Sequence, residues 1–135
     1  MTVGVEVARK TLQVGDYGAE HASGPDLTVI ERKGMGDLFN SYTGGYEQER
    51  NKIIKAANLG LTFILAIEAS ATEVLKGHTY WDGEQRREHR KTGLAMFRQL
   101  CTINRKYGVQ VWFCTSRTEM AWRILEYFLA QERLS

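Results

Sequence analysis

The chain has 135 residues, 43% of them hydrophobic and 25% charged, with a formal net charge of +2. That length suits one domain over residues 1–135 with a core of its own, and the balance is ordinary for a soluble globular protein. No apolar run nears the ~18 residues of a membrane span, no signal-peptide pattern opens the chain, and Cys101 and Cys114 lack the spacing of a disulfide framework or zinc site, so an intracellular setting is expected.

"VGVEV" places Val3, Val5 and Val7 on one face and predicts a first strand. "TLQVGDY" continues extended into Gly15, and "GAEHASGP" is a turn by composition. "DLTVIERK" is the second clear strand. "GMGDLFNSY" then starts a helix, "TGG" interrupts it, and "YEQERNKIIKAANLG" forms a longer one with Tyr46, Ile53 and Ala57 on one side.

"LTFILAIEAS" is a nearly continuous apolar run, as in a strand buried on both faces. "ATEVL" adds a helical turn, and "KGHTYWDGEQRREHRK" reads as a mobile loop running into a helix. In "TGLAMFRQLCTINRKYG" one helical stripe holds Leu94, Phe97 and Cys101, and another holds Met96, Leu100, Ile103 and Tyr107. "VQVWFC" is a strand, and "SRTEMAWRILEYFLAQER" a closing helix with Ser116 as its N-cap. Two early strands followed by alternating helix and strand give an α/β domain of three layers, α/β/α, around a central mixed β-sheet.

Charge is unevenly spread. Residues 1–84 hold eight Lys or Arg against twelve Asp or Glu, whereas residues 85–106 hold seven against one. The basic segment, with Arg86, Arg87, Arg90 and Lys91, is either a solvated face or a contact for a polyanion. Tyr80 and Trp81 stand beside it, either as incidental loop aromatics or as bases' stacking partners.

The strand 27–33 passes abruptly from apolar residues to Glu31, Arg32 and Lys33. Alternation puts Leu27, Val29, Glu31 and Lys33 on one face and Arg32 on the other. A hairpin through the preceding turn brings Asp16 toward Glu31. Two carboxylates converging at strand ends, with a lysine two residues on, suit metal-dependent phosphodiester hydrolysis. Hard oxygens take Mg²⁺ or Mn²⁺, and a lysine orients water or neutralises developing charge.

"VGDY" followed by "VIERKGMGD" resembles the G-D-x(n)-E-R-K-x-x-x-D signature of XPF-type structure-specific endonucleases, in the PD-(D/E)xK nuclease group. The likeness extends along nearly the whole chain, through "DLFNSYTGGYEQERNKI", "FILAIEAS" and "YGVQVWFCTSRTEMAWRILEYFL". It implies a restriction-endonuclease-like fold and cleavage of branched or flapped DNA in repair or recombination. It also implies that Asp16 and Glu31 bind the divalent metal and that Lys33 is catalytic. Arg32 and Asp37 belong to the motif. Arg32 binds phosphate or braces the strand end, and Asp37 is either functional or a charge at a helix N-terminus.

Two positions depart from the family pattern. Relatives begin with a strand carrying an acidic-x-Arg motif, whereas the 14 residues before Gly15 hold one acid, Glu6. The chain is then a shortened or split version, or its site works with fewer carboxylates. Tyr46 also stands where an Arg commonly follows the Gly, and Arg50, one helical turn on, is expected to supply that charge.

His21, His78 and His89 lie in polar segments without ligand spacing and read as surface residues. Glu68 ends the buried strand, near the metal or in a structural hydrogen bond. Met120, Ala121, Trp122, Ile124, Leu125, Tyr127, Phe128 and Leu129 leave the closing helix apolar on more sides than one sheet can cover. XPF-type nuclease domains dimerise through their last helices, so a homodimer is expected. The competing readings are a catalytically weak or inactive DNA-binding scaffold partner of the same fold and a metal-free protein-interaction module.

Overall fold

A computed structural model describes residue 12 and residues 14–134. The strand predicted over Val3–Val7, with Glu6, lies outside the described residues. The elements in chain order are β1 (Glu20–His21), β2 (Gly24–Pro25), β3 (Thr28–Lys33), α1 (Met35–Ser41), α2 (Tyr46–Asn58), β4 (Thr62–Ile67), α3 (Ala71–Lys76), β5 (Thr79–Asp82), β6 (Gln85–Glu88), α4 (Gly93–Tyr107), β7 (Gln110–Phe113) and α5 (Arg117–Leu134).

The central sheet runs β3-β4-β7, all parallel, with Glu31 opposite Leu65 and Lys33 opposite Ile67. Tyr17 adds an antiparallel bridge to Ile30, so the pairing is mixed. The expected hairpin forms: β1 pairs antiparallel with β2, and the chain returns into β3. In β4, the residues from Phe63 to Ile67 are all buried because helices cover both faces of the sheet.

On one face, Val29, Phe63, Leu65 and Ile67 pack with Leu38 and Phe39 of α1, Ile53 and Ala56 of α2, and Met96, Leu100 and Ile103 of α4. On the other, Ile30, Ile64, Ala66 and Trp112 pack with Met120 and Phe128 of α5. Each fully buried Ile or Leu contributes about 1.5–3 kcal/mol relative to exposure. The domain is therefore a three-layer α/β/α fold.

Both helix stripes resolve against the sheet. In α2 the buried positions are Glu49, Ile53 and Ala56, not Ala57, because Tyr46, Glu49, Ile53 and Ala56 follow helical spacing. In α4 the stripe of Met96, Leu100 and Ile103 faces inward, whereas Leu94 and Cys101 are exposed. Thr92 caps α4 by accepting from the Ala95 N–H at 3.1 Å, and Ser116 caps α5 by accepting from Glu119 N–H at 3.1 Å.

Segment 79–88 is not a loop but an antiparallel hairpin, with Tyr80 opposite Arg87 and Trp81 opposite Arg86. Gly83 opens its two-residue turn at φ +63°, a backbone angle that other residues seldom adopt. Gly93 is required for a different reason. A Cβ there would lie 2.1 Å from the Leu75 carbonyl oxygen, so only glycine lets α3 and α4 approach so closely.

Candidate active site

β3 buries its first half between the layers and releases its charged half at the carboxyl end of the parallel strands, where open α/β sheets place their ligands. Glu31 and Lys33 follow Val29 toward α1 and α2. Arg32 follows Ile30 toward the α5 layer.

Glu31 is 5% exposed. Its Oε1 accepts from Lys52 Nζ at 3.0 Å, while its Oε2 has no hydrogen-bond partner among the described residues. Burial pushes the Glu31 carboxyl above its ordinary range. The Lys52 hydrogen bond opposes that rise, the Glu49 charge reinforces it, and the charges of Lys33 and Lys52 oppose it again.

Lys33 donates to Ser41 Oγ at 3.0 Å and to Glu49 Oε1 at 3.4 Å, so its ammonium is held from two sides. Lys52 also donates to Glu49 Oε1, at 3.2 Å. Burial pulls the Lys52 ammonium down, but hydrogen bonding and charge from Glu31 and Glu49 outweigh it and hold it above the usual lysine range. Glu49 Oε2 and the buried Tyr42 hydroxyl also lack partners among the described residues. Burial, then the charges of Glu49 and Glu31, pushes the Tyr42 phenol far up.

Asp16 is exposed and joined to β3 through its backbone and its side chain. Its N–H donates to Ile30 O at 2.9 Å, and its Oδ2 accepts from Arg32 N–H at 2.9 Å. The carboxylate therefore lies beside the backbone that carries Glu31. Among the described residues no group of three or more His, Cys, Asp or Glu side chains could hold a metal. The donor chemistry still fits Mg²⁺ or Mn²⁺. Such ions take one or two carboxylates and complete their shell with water and phosphate, and Glu31 offers an unpartnered buried oxygen.

The remaining expected residues fall into two groups. Arg32 donates to Glu68 Oε2 at 3.0 Å, and Arg117 donates to Glu68 Oε1 at 3.2 Å. Glu68 is thus enclosed by arginines on the α5 side of the sheet, and Arg32 braces the strand end. Asp37 is exposed in the first turn of α1, in the position of a charge at a helix N-terminus. Arg50 stands exposed on α2; the α2 cation that reaches the Glu31 carboxylate is Lys52, two residues on.

Arg86, Arg87 and Arg90 are exposed. Arg86 donates to Thr79 Oγ1 at 3.3 Å, and Arg87 Nε pairs with Asp82 at 2.9 Å. Arg90 lines a cleft of about 690 Å³ with Asn40, Thr43, Gly44, His78, Tyr80 and His89. Lys91 departs from its neighbours. Its ammonium turns inward to donate to Tyr42 O at 2.8 Å and to Gln99, and burial lowers its pKa, so it is a strut between α1 and α4 rather than an exposed basic contact.

The surface reading of the histidines fails for His21, whose side chain is 8% exposed. Nε2 meets Asp26 Oδ2 at 2.7 Å and Nδ1 meets Glu132, tying the β1–β2 hairpin to α5. Hydrogen bonding to Asp26, then to Glu132, raises its pKa. His78 and His89 pack on Phe39 instead, and His78 stacks on Tyr80 at 6.2 Å.

Sequence reasoning missed Glu49, Lys52 and Ser41. One signal was present: the stripe through Tyr46 and Ile53 passes through Glu49, and an acid in a buried stripe calls for a cationic partner. On α5, Trp122 is 61% exposed and borders a shallow cleft with Arg117, Thr118, Ala121 and Leu125. Among the described residues, no helix is long and apolar enough to cross a membrane.

A family model described as the ERCC4 domain matches residues 2–125. No curated protein matches the chain.

Proposed function

The chain belongs to the ERCC4 domain family, a nuclease family acting on DNA, and from that premise we propose that it is a Mg²⁺- or Mn²⁺-dependent endonuclease of branched or flapped DNA. Residues 1–135 act as one nuclease domain, in DNA repair or recombination, in an intracellular setting. The observation that carries this reading is the charged end of β3. A buried carboxylate with an unpartnered oxygen stands two residues from a lysine held by Ser41 and Glu49.

Asp16 and Glu31 are the carboxylates that would hold the cation. When bound, the cation supplies positive charge to phosphoryl oxygens and acidifies water. Lys33 contributes a fixed ammonium where negative charge develops on the phosphate. Because Ser41 and Glu49 hold that ammonium beforehand, little reorganisation is needed during reaction. Arg32 keeps the strand end in place through Glu68. Arg86, Arg87 and Arg90 bind the phosphate backbone, with Arg50 as a further exposed cation on α2, and Tyr80 and Trp81 lie beside them for stacking on bases. The exposed Trp122 face of α5 pairs with a second copy to form a homodimer.

One observation favours the competing reading of a DNA-binding scaffold without cleavage: the Lys52 ammonium already neutralises Glu31 and Glu49. The test is cleavage of labelled flapped, branched and linear duplexes by wild type and Glu31→Gln, with Mg²⁺, Mn²⁺ or chelator. The nuclease reading expects metal-dependent cleavage of the flapped or branched substrates that Glu31→Gln abolishes. Binding without cleavage under every condition would assign the fold to scaffolding.

A further inference from the structure

Glu49 is a charged residue in the buried stripe of a helix, 5% exposed, on an element whose other inward positions are apolar or aromatic. Burying an acid is costly unless its charge is answered. Two ammonium groups answer it, Lys33 at 3.4 Å and Lys52 at 3.2 Å, both on Oε1. Oε2 has no partner among the described residues, and the same is true of Glu31 Oε2. Lys52 Nζ also lies 3.0 Å from Glu31 Oε1, so one ammonium bridges two buried carboxylates that each keep an oxygen in reserve.

A bridging ammonium answers both charges but donates to only one oxygen of each acid. A divalent cation answers two carboxylates more completely, because hard carboxylate oxygens are its ordinary ligands. The two acids sit on different elements, β3 and α2, whereas Lys52 is 42% exposed at its side chain and carries a flexible stem that can move to solvent. Deepening the nuclease reading above, on which this inference rests, we propose that Glu49 is a further carboxylate of the divalent-cation site, paired with Glu31, and that Lys52 competes with the cation for the same oxygens. With Lys52 in place, the described residues form no group of three carboxylates that could hold a metal. Lys33 remains on Glu49 and Ser41 in both states. Cation affinity is then set by an exchange within the protein: the metal enters as the Lys52 ammonium leaves.

The test is Mn²⁺ binding by the DNA-free protein, followed by calorimetry and by the loss of the free-ion paramagnetic signal. Wild type, Lys52→Met, Lys52→Arg and Glu49→Gln are compared, with circular dichroism to check folding. Removing the competing charge makes Lys52→Met bind Mn²⁺ about tenfold tighter, or more, and Lys52→Arg, which keeps the charge, stays near wild type. Glu49→Gln, equal in size but uncharged, binds about tenfold weaker. Mn²⁺ also raises the melting temperature of Lys52→Met more than that of wild type, since a ligand stabilises the state it binds. A lysine with a merely structural role predicts no gain of affinity on removal.

Unchanged or weaker binding by Lys52→Met, or wild-type affinity in Glu49→Gln, overturns the proposal while leaving the nuclease reading intact. Failure of both wild type and Lys52→Met to bind Mn²⁺ also overturns the proposal, and the nuclease reading then stands or falls on the cleavage assay with DNA present. If Glu49→Gln does not fold, Lys52→Met alone decides.

Discussion

The hairpin β5–β6 is the feature whose role is easiest to quantify. Replacing Arg86, Arg87 and Arg90 together by Gln removes three exposed charges without touching the core. The side-chain bonds lost, to Thr79, Asp82 and Gln85, are all on the surface, where such pairs contribute about 0–1 kcal/mol. The fold should therefore survive. Lys91 is left in place because its ammonium holds Tyr42 O and Gln99. If each arginine neutralises one phosphate, the slope of log affinity against log salt falls by about 0.9 per contact, or about 2.7 for three. Raising salt from about 50 mM to about 200 mM should then cost wild type about 40-fold more affinity than the variant. Fluorescence anisotropy of a labelled branched duplex, with chelator to prevent cleavage, measures both slopes. Parallel lines for the two proteins would show that these arginines face only solvent and would refute the reasoning.

Three further outcomes follow from single contacts. Gly93→Ala pushes a Cβ against the Leu75 carbonyl and should cost more than the about 1–3 kcal/mol typical of overpacking, visible as a lowered thermal midpoint; an unchanged midpoint would contradict the close approach of α3 and α4. His21 has a raised pKa, so its stabilisation should be complete below the ordinary histidine value of about 6.5 and fade as pH rises through the higher folded-state value. Urea unfolding across that range should show the decline in wild type and lose it in His21→Asn, and a flat wild-type profile would remove the charged tie to Asp26 and Glu132. Trp122→Glu should convert a dimer to monomer in sedimentation, whereas a monomeric wild type would leave the exposed α5 face without its proposed partner.

The strand end was legible because β3 changes character within one alternating segment, with Val29, Glu31 and Lys33 keeping to one face while the residues turn from apolar to charged. β4 was legible for a related reason: only a strand covered on both sides tolerates Phe63 to Ile67 without a polar break. In α4 periodicity alone left two stripes, and only the sheet's position selects Met96, Leu100 and Ile103 over Leu94 and Cys101. The β5–β6 hairpin escaped detection because its eight strand residues are all exposed and polar or aromatic, so no apolar alternation marks it. Its remaining signal was Gly83, which opens the turn after Asp82. Ser41, and the Glu31 contact of Lys52, were hidden because the partners Lys33 and Glu31 lie on β3 and become neighbours only when α1 and α2 cross back over the sheet. His21 was misread for the same reason, since Glu132 lies 111 residues away.

The central claim, that the end of β3 cleaves DNA, is tested most directly by Lys33→Ala. The substitution removes the ammonium held by Ser41 and Glu49 and leaves Asp16 and Glu31 in place. A group that acts on charge developing in the transition state chiefly affects turnover. Single-turnover cleavage of a flapped duplex with Mg²⁺ or Mn²⁺, measured beside DNA affinity in chelator, should show the variant slowed by orders of magnitude while its binding stays close to wild type. Equal cleavage rates in the two proteins would contradict the catalytic role of Lys33, and no cleavage by the wild type would contradict the enzyme itself.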